Sequence, residues 1–129
     1  MNNLVIEPTK YTPNIVFLFD EKVLEISGES YPENTAEFYS PVLKWLIEFL
    51  KIKESKTITV NIIIQYFNSS SSKIFMDIFD LLNEKSREGF DIIVNWNYLE
   101  ADDNMLEYGE EFQEDVDYLK FNLVPRKSI

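Results

Sequence analysis

Between Lys56 and Leu99 the apolar residues recur first at alternate positions, then at every third or fourth, then at alternate positions again, and few folds accommodate that order. Lys56 to Phe67 reads as a strand with Ile58, Val60, Ile62, Ile64 and Tyr66 on one face, while Ile63 and Phe67 add apolar character to the other. Apolar residues on both faces indicate a central place in a sheet. Ser70 to Glu88 reads as a helix that turns Phe75, Ile78, Leu81 and Leu82 inward, and Gly89 is placed to end it. Phe90 to Leu99 alternates again through Phe90, Ile92, Val94, Trp96 and Tyr98. Strand, helix and strand in this order predict parallel strands joined by a right-handed crossover.

The flanking segments extend the same plan. Leu4 to Ile6 reads as a short edge strand, and Ile15 to Phe19 pairs with Val23 to Ile26 in a hairpin across Asp20-Glu21-Lys22. From Asn34 onward, Phe38, Val42, Leu46, Phe49 and Leu50 form one apolar stripe on a helix ending near Lys51. Asn34 can cap it, with the Glu37 carboxylate reaching back to the Asn34 N–H. Pro41 either kinks the first turns by removing a hydrogen bond or follows a cap at Ser40. Asp103 to Asp115 reads as a helix with Met105, Tyr108 and Phe112 inward and Glu107, Glu110, Glu111 and Glu114 outward. Leu119 to Val124 supplies a last strand. The expected architecture is α/β: a mixed sheet of five or six strands with about three main helices packed on it, in a single domain over residues 1–129.

Missing residue types narrow the chemistry. The chain has no Cys and no His, so thiolate chemistry, Ser-His-Asp activation and most zinc sites are excluded. Three glycines, none in a Gly-rich run before Lys-Ser or Lys-Thr, leave no phosphate-binding loop. Asp102, Asp103, Glu110, Glu111, Glu114 and Asp115 offer carboxylates, but helical spacing spreads them over a solvated face. No catalytic residue, cofactor or metal is expected. A formal charge of -11 repels nucleic acid and anionic membranes and points to a protein partner. No apolar run reaches the roughly 18 residues of a membrane span, and a cytoplasmic location is expected.

The run Asn68-Ser69-Ser70-Ser71-Ser72-Lys73 joins the carboxyl end of the central strand to the following helix, where open α/β sheets present functional groups. Unpaired N–H groups at a helix start attract anions. A phosphate ester there brings about -1.5 to -2 charges to a helix end carrying roughly half a positive charge. Lys73 opposes the helix dipole when nothing is bound and could pair with a phosphate on Ser69. Serines at a helix start also serve simply as caps and turn formers, and spacing alone leaves both readings open.

Three ordered blocks carry a resemblance: Gly28-Glu29-Ser30-Tyr31-Pro32-Glu33-Asn34, then Tyr66-Phe67-Asn68-Ser69-Ser70-Ser71 leading through Lys73 into Met76-Asp77-Ile78, and Glu110-Glu111-Phe112 with Glu114-Asp115. In them the chain resembles the SiaC-type regulatory phosphoproteins of bacterial partner-switching systems, which look distantly like STAS-fold anti-sigma-factor antagonists. The resemblance implies a STAS-like fold, a dedicated serine/threonine protein kinase, and a phosphatase of the PP2C type. It also implies a downstream diguanylate cyclase activated by the unphosphorylated protein, hence cyclic-di-GMP and biofilm signalling. Matching the family's phosphoacceptor places it at Ser69, with Ser70, Ser71 and Ser72 as alternatives and Asn68 and Lys73 as its neighbourhood. STAS antagonists carry Asp-Ser followed closely by Gly, whereas this chain has Asn68 and no glycine there. The resemblance also implies partner contacts at Tyr31, Glu33 and Asn34, beside a local role for that block as a turn and helix cap stiffened by Pro32. The alternative to a switch is a scaffold domain whose serines only cap a helix.

Overall fold

The computed structural model describes residues 1–129 as β1 (Leu4–Ile6), β2 (Asn14–Leu18), β3 (Val23–Ser30), α1 (Thr35–Phe49), β4 (Ile58–Phe67), α2 (Ser69–Arg87), β5 (Ile92–Leu99), α3 (Asp103–Glu114) and β6 (Lys120–Arg126). The strands form one sheet in chain order, β1-β2-β3-β4-β5-β6. The first two pairings are antiparallel, and those from β3 to β6 are parallel. Each parallel step spans one helix, and three right-handed crossovers advancing the same way put all three helices on one face. The mixed sheet of six strands with three helices is therefore the architecture the sequence implies.

Burial follows this layering. Leu24, Ile26, Ile58, Val60, Ile62, Ile64, Ile92, Val94 and Trp96 lie buried under the helices. On the other face Thr59, Ile63 and Ile93 are half-buried, and Asn61, Asn95 and Asn122 form a side-chain amide ladder across β4, β5 and β6 with N···O distances of 3.0 and 3.1 Å. β4 is central, as expected, but its second face belongs to an uncovered, mixed surface.

Local chemistry sets the element ends. Asn34 caps α1 by accepting the Glu37 N–H at 3.0 Å, and Glu37 accepts from the Asn34 side-chain amide at 3.2 Å instead of from its backbone. Pro41 lies inside α1, so Ser40 is not a cap. Gly89, at φ 105°, ends α2 by donating to Ser86 while Phe90 donates to Lys85. Phe90 thus belongs to the helix terminus and not to β5.

Two departures from simple alternation matter most. β3 runs on through Gly28 and Glu29 to Ser30, where a turn was expected. Gly28 pairs with Ile64 but Glu29 pairs with Tyr66, so Gln65 has no partner and forms a bulge; Gly28 takes φ 105° beside it. One extra residue reverses the faces that follow. Tyr66 turns outward, 53% exposed, and Phe67 turns inward against Phe75 and Trp96. Both are opposite to the sequence expectation.

Under the helices, Ser30 Oγ lies 2.6 Å from Tyr39 OH and 2.8 Å from Ser71 Oγ, joining β3, α1 and α2 through three fully buried hydroxyls. On the other side of the core, Trp96 donates its indole N–H to the Met105 carbonyl at 2.9 Å. Gly109 lets α3 settle on that indole: a Cβ there would meet Trp96 Cδ1 at 2.5 Å and Leu123 Cδ2 at 2.8 Å. Tyr108 beside it is 44% exposed, not inward as its spacing predicts.

Gly109→Ala should therefore destabilise the protein. Overpacking costs about 1–3 kcal/mol, of which the roughly 1 kcal/mol of helix propensity that Ala recovers offsets part, so a net loss of up to about 2 kcal/mol is expected in chemical denaturation. An unchanged midpoint would contradict the packing of α3 on Trp96. Burial pushes the Tyr39 phenol up to about 12 from 10.0, against a smaller lowering by its hydrogen bond to Ser30. A folded-state pKa above the unfolded one stabilises below the unfolded value and is lost as pH rises. Stability should fall between pH 10.0 and about 12 more steeply in the native protein than in Tyr39→Phe, measured by urea unfolding at stepped pH.

Candidate functional site

A helix that follows a parallel strand begins at that strand's carboxyl end, so α1, α2 and α3 all start along one edge of the sheet. Each has an N-cap side chain, on Asn34, Asn68 and Asp102, that accepts an N–H in the first turn. α1 and α3 also carry an acid there, Glu37 and Asp103. α2 carries none, so its positive end is the one left uncompensated.

Asn68 holds the turn into α2. Its backbone N–H donates to the Ser30 carbonyl at 3.1 Å, and its side-chain oxygen accepts the Ser71 N–H at 2.9 Å. The cap is therefore Asn68 and not the serine run. Ser69 and Ser70 occupy the first two helical positions, exposed, with N–H groups that have no acceptor within the helix. Ser71 is fully buried with its hydroxyl committed to Ser30, which removes it as an accessible acceptor in the folded protein. Ser72 is half-buried.

Two depressions flank this turn. Ser69 lines one of about 220 Å³ with Phe67, Asn68, Ser72 and Tyr108. Lys73 lies in the other, with Ser70, Glu33, Asn34 and Asp77. The structure thus groups Lys73 with Ser70 and not with Ser69. Asn34, a candidate for partner contact, is engaged as the α1 cap. Glu33 is exposed at the rim of the Lys73 depression.

Tyr31 falls elsewhere. Its ring packs edge-on against Tyr11 at 5.3 Å and Tyr66 at 5.4 Å, on the surface where the bulge has turned Tyr66. Partial desolvation, then the Glu29 carboxylate, raise its phenol above the ordinary value. Sequence reasoning missed Tyr11, Tyr66 and Tyr108 because it placed the last two in the core and assigned the first to no element. A bulge leaves no mark in apolar spacing beyond a Gly in the neighbouring strand.

The arrangement offers little to catalysis. There is no histidine to activate a serine. Asp102 is used as a cap, Glu110, Glu111, Glu114 and Asp115 are exposed, and no group of three acidic side chains converges as a metal site would require. Asp80 is raised from its ordinary value, mainly by burial and then by Asp77 and Asp115. No helix is long and apolar enough to cross a membrane.

Comparison with known proteins agrees with this geometry. The model of the SiaC family, described as regulatory phosphoproteins, matches residues 6–126. An uncharacterized protein of Pseudomonas aeruginosa (strain UCBPP-PA14) is 34% identical over 118 residues, covering 92% of this chain and 93% of that protein. The crystal structure of apo-SiaC from Pseudomonas aeruginosa superposes with a TM-score of 0.88 at 34% identity, over 96% of this chain and 99% of that one. A chain in the crystal structure of the diguanylate cyclase SiaD in complex with its activator SiaC, from the same organism, gives a TM-score of 0.89 at 32% identity, over 95% and 99%. With nearly the whole chain matched in sequence and in fold, this protein belongs to the SiaC family of regulatory phosphoproteins.

Proposed function

We propose that this chain is a non-catalytic, cytoplasmic partner switch: with Ser69 unmodified it docks on a diguanylate cyclase and activates it, and a phosphate on Ser69 prevents docking. The observation that carries the proposal is the exposure of Ser69 at an uncompensated helix start whose cap is supplied by a different residue. A kinase can reach the hydroxyl without unfolding α2, and the free N–H groups of Ser69 and Ser70 can receive phosphate oxygens. A dedicated serine/threonine kinase would add the phosphate and a PP2C-type phosphatase would remove it. The cyclase is named by the family, whose Pseudomonas aeruginosa member is the activator of SiaD in the complex matched above.

Energetics favour a site within the interface. Moving a partner from mostly bound to mostly free takes about 5.5 kcal/mol. Stripping water from a doubly charged group against Phe67 and Tyr108 can supply that, while a rim phosphate that keeps its hydration cannot. Ser70, exposed beside Lys73, is the second acceptor the geometry permits. The scaffold reading, in which serines merely cap the helix, loses its premise because Asn68 is the cap.

Ser69→Ala should abolish phosphate incorporation by the cognate kinase while preserving cyclase binding, and Ser69→Asp should weaken binding at least tenfold by calorimetry. Full labelling of the alanine variant would reject the assignment. Stability should separate the two roles: Asn68→Ala is expected to lose about 0.5–2 kcal/mol in thermal unfolding, and Ser69→Ala less than about 0.5 kcal/mol. The reverse order would return the capping role to the serine.

A further inference from the structure

The edge that bears Ser69 also carries an exposed row of tyrosines. Tyr11 and Tyr66 are 49% and 53% exposed, yet both rings are braced by Tyr31 at interplanar angles of 87° and 74°. The Tyr31 N–H donates to the Tyr11 carbonyl at 2.8 Å, tying the loop before β2 to the end of β3. Edge-to-face packing orients these large side chains before any partner arrives, so little freedom remains to be lost on binding. Tyr108 extends the row. It lines a depression shared with Tyr66 and Asp102 and also the one that holds Ser69, so two depressions with Tyr108 in common lead from Tyr66 to Ser69.

The two ends of the row differ in charge. Exposed Glu29 stands opposite Tyr66 in the strand pairing, and Asp102 lines the depression that Tyr66 and Tyr108 share. Lys10 holds its ammonium 5.7 Å from the centre of the neighbouring Tyr11 ring, within the reach of a cation–π contact. No carboxylate lines the Ser69 depression. We propose that the row Tyr11–Tyr31–Tyr66–Tyr108 is the docking surface for the cyclase, taking an arginine- or lysine-bearing segment at the Tyr31–Tyr66 end and apolar side chains at the Ser69 end. The inference rests on the partner-switch reading above and adds the location and chemistry of the contact. It also explains why a phosphate on Ser69 is not simply recruited by the partner's cation, which is held at the opposite end.

Calorimetric titration of the full chain with purified cognate cyclase, at low and high salt, tests this. Wild-type affinity should fall as salt rises. Tyr66→Ala should weaken binding tenfold or more, Tyr66→Phe less than threefold, and Glu29→Gln should both weaken binding and flatten its salt dependence. Circular dichroism checks that each variant is folded. Unchanged affinity in Tyr66→Ala and Tyr31→Ala overturns the docking surface, and unchanged salt dependence in Glu29→Gln overturns the cationic occupant, both leaving the switch intact. Variants that alter sedimentation of the chain alone but not cyclase affinity would give the row to a second copy and also overturn the inference. A wild-type chain that fails to bind the cyclase at all removes the switch reading and this inference together.

Discussion

Three hydroxyls that must satisfy one another out of reach of water fix the orientation of everything at the functional edge. Ser30, Tyr39 and Ser71 come from a strand and two helices, and leaving any of them unpaired would cost the desolvation of a buried polar group. Because Ser71 has to point inward at Ser30, the rotation of α2 about its own axis is set. A helix advances about 100° per residue, so Ser69 stands about 200° away from Ser71 and faces solvent. Inaccessibility of one serine thus determines accessibility of the other, although nothing in a row of four like residues distinguishes them.

Much of the fold was legible because it depends on periodicity. The alternation in β4 and β5, the stripe from Val42 to Leu50 and the break at Gly89 each reflect burial on one side of a regular element, and regular elements repeat. What failed were places where one residue breaks the repeat. Gln65 drops out of the β3–β4 pairing, and from that point the inward and outward roles of Tyr66 and Phe67 are exchanged. Tyr108 fits an inward helical position by spacing, but Gly109 takes that position because α3 must approach the Trp96 indole closely. In both cases a tyrosine assigned to the core is delivered to the surface, and both belong to the same exposed row.

The site was legible in part for a related reason. Local chemistry identified a strand end, a run of hydroxyls and a helix start, which together mark a place where phosphate is tolerated. It could not assign the cap, since Asn and Ser serve equally well at that position. Nor could it separate Lys73 from Ser69, because their four-residue spacing makes them neighbours on an isolated helix. Only the packing of α1 against α2 places Lys73 on the side of Glu33 and Ser70, and the packing of α3 places Tyr108 on the side of Ser69.

These divisions of labour bear on how such a switch can work. If the acceptor hydroxyl also capped α2, esterifying it would perturb the helix start, and binding would change through the fold. Here Asn68 holds the cap and Ser71 holds the rotation, so the hydroxyls of Ser69 and Ser70 between them are free of structural obligation. On the proposed switch, modification of Ser69 would change charge and hydration at one point without breaking either of those hydrogen bonds. A switch of that kind reverses as quickly as the ester is made and cleaved, with no refolding step, and its whole effect has to be expressed in the desolvation of the docked complex. On the proposed switch that requirement is why the aromatic surroundings of Ser69 matter: a partner seated on Phe67 and Tyr108 would exclude water, and a group that must keep its water could not be covered there.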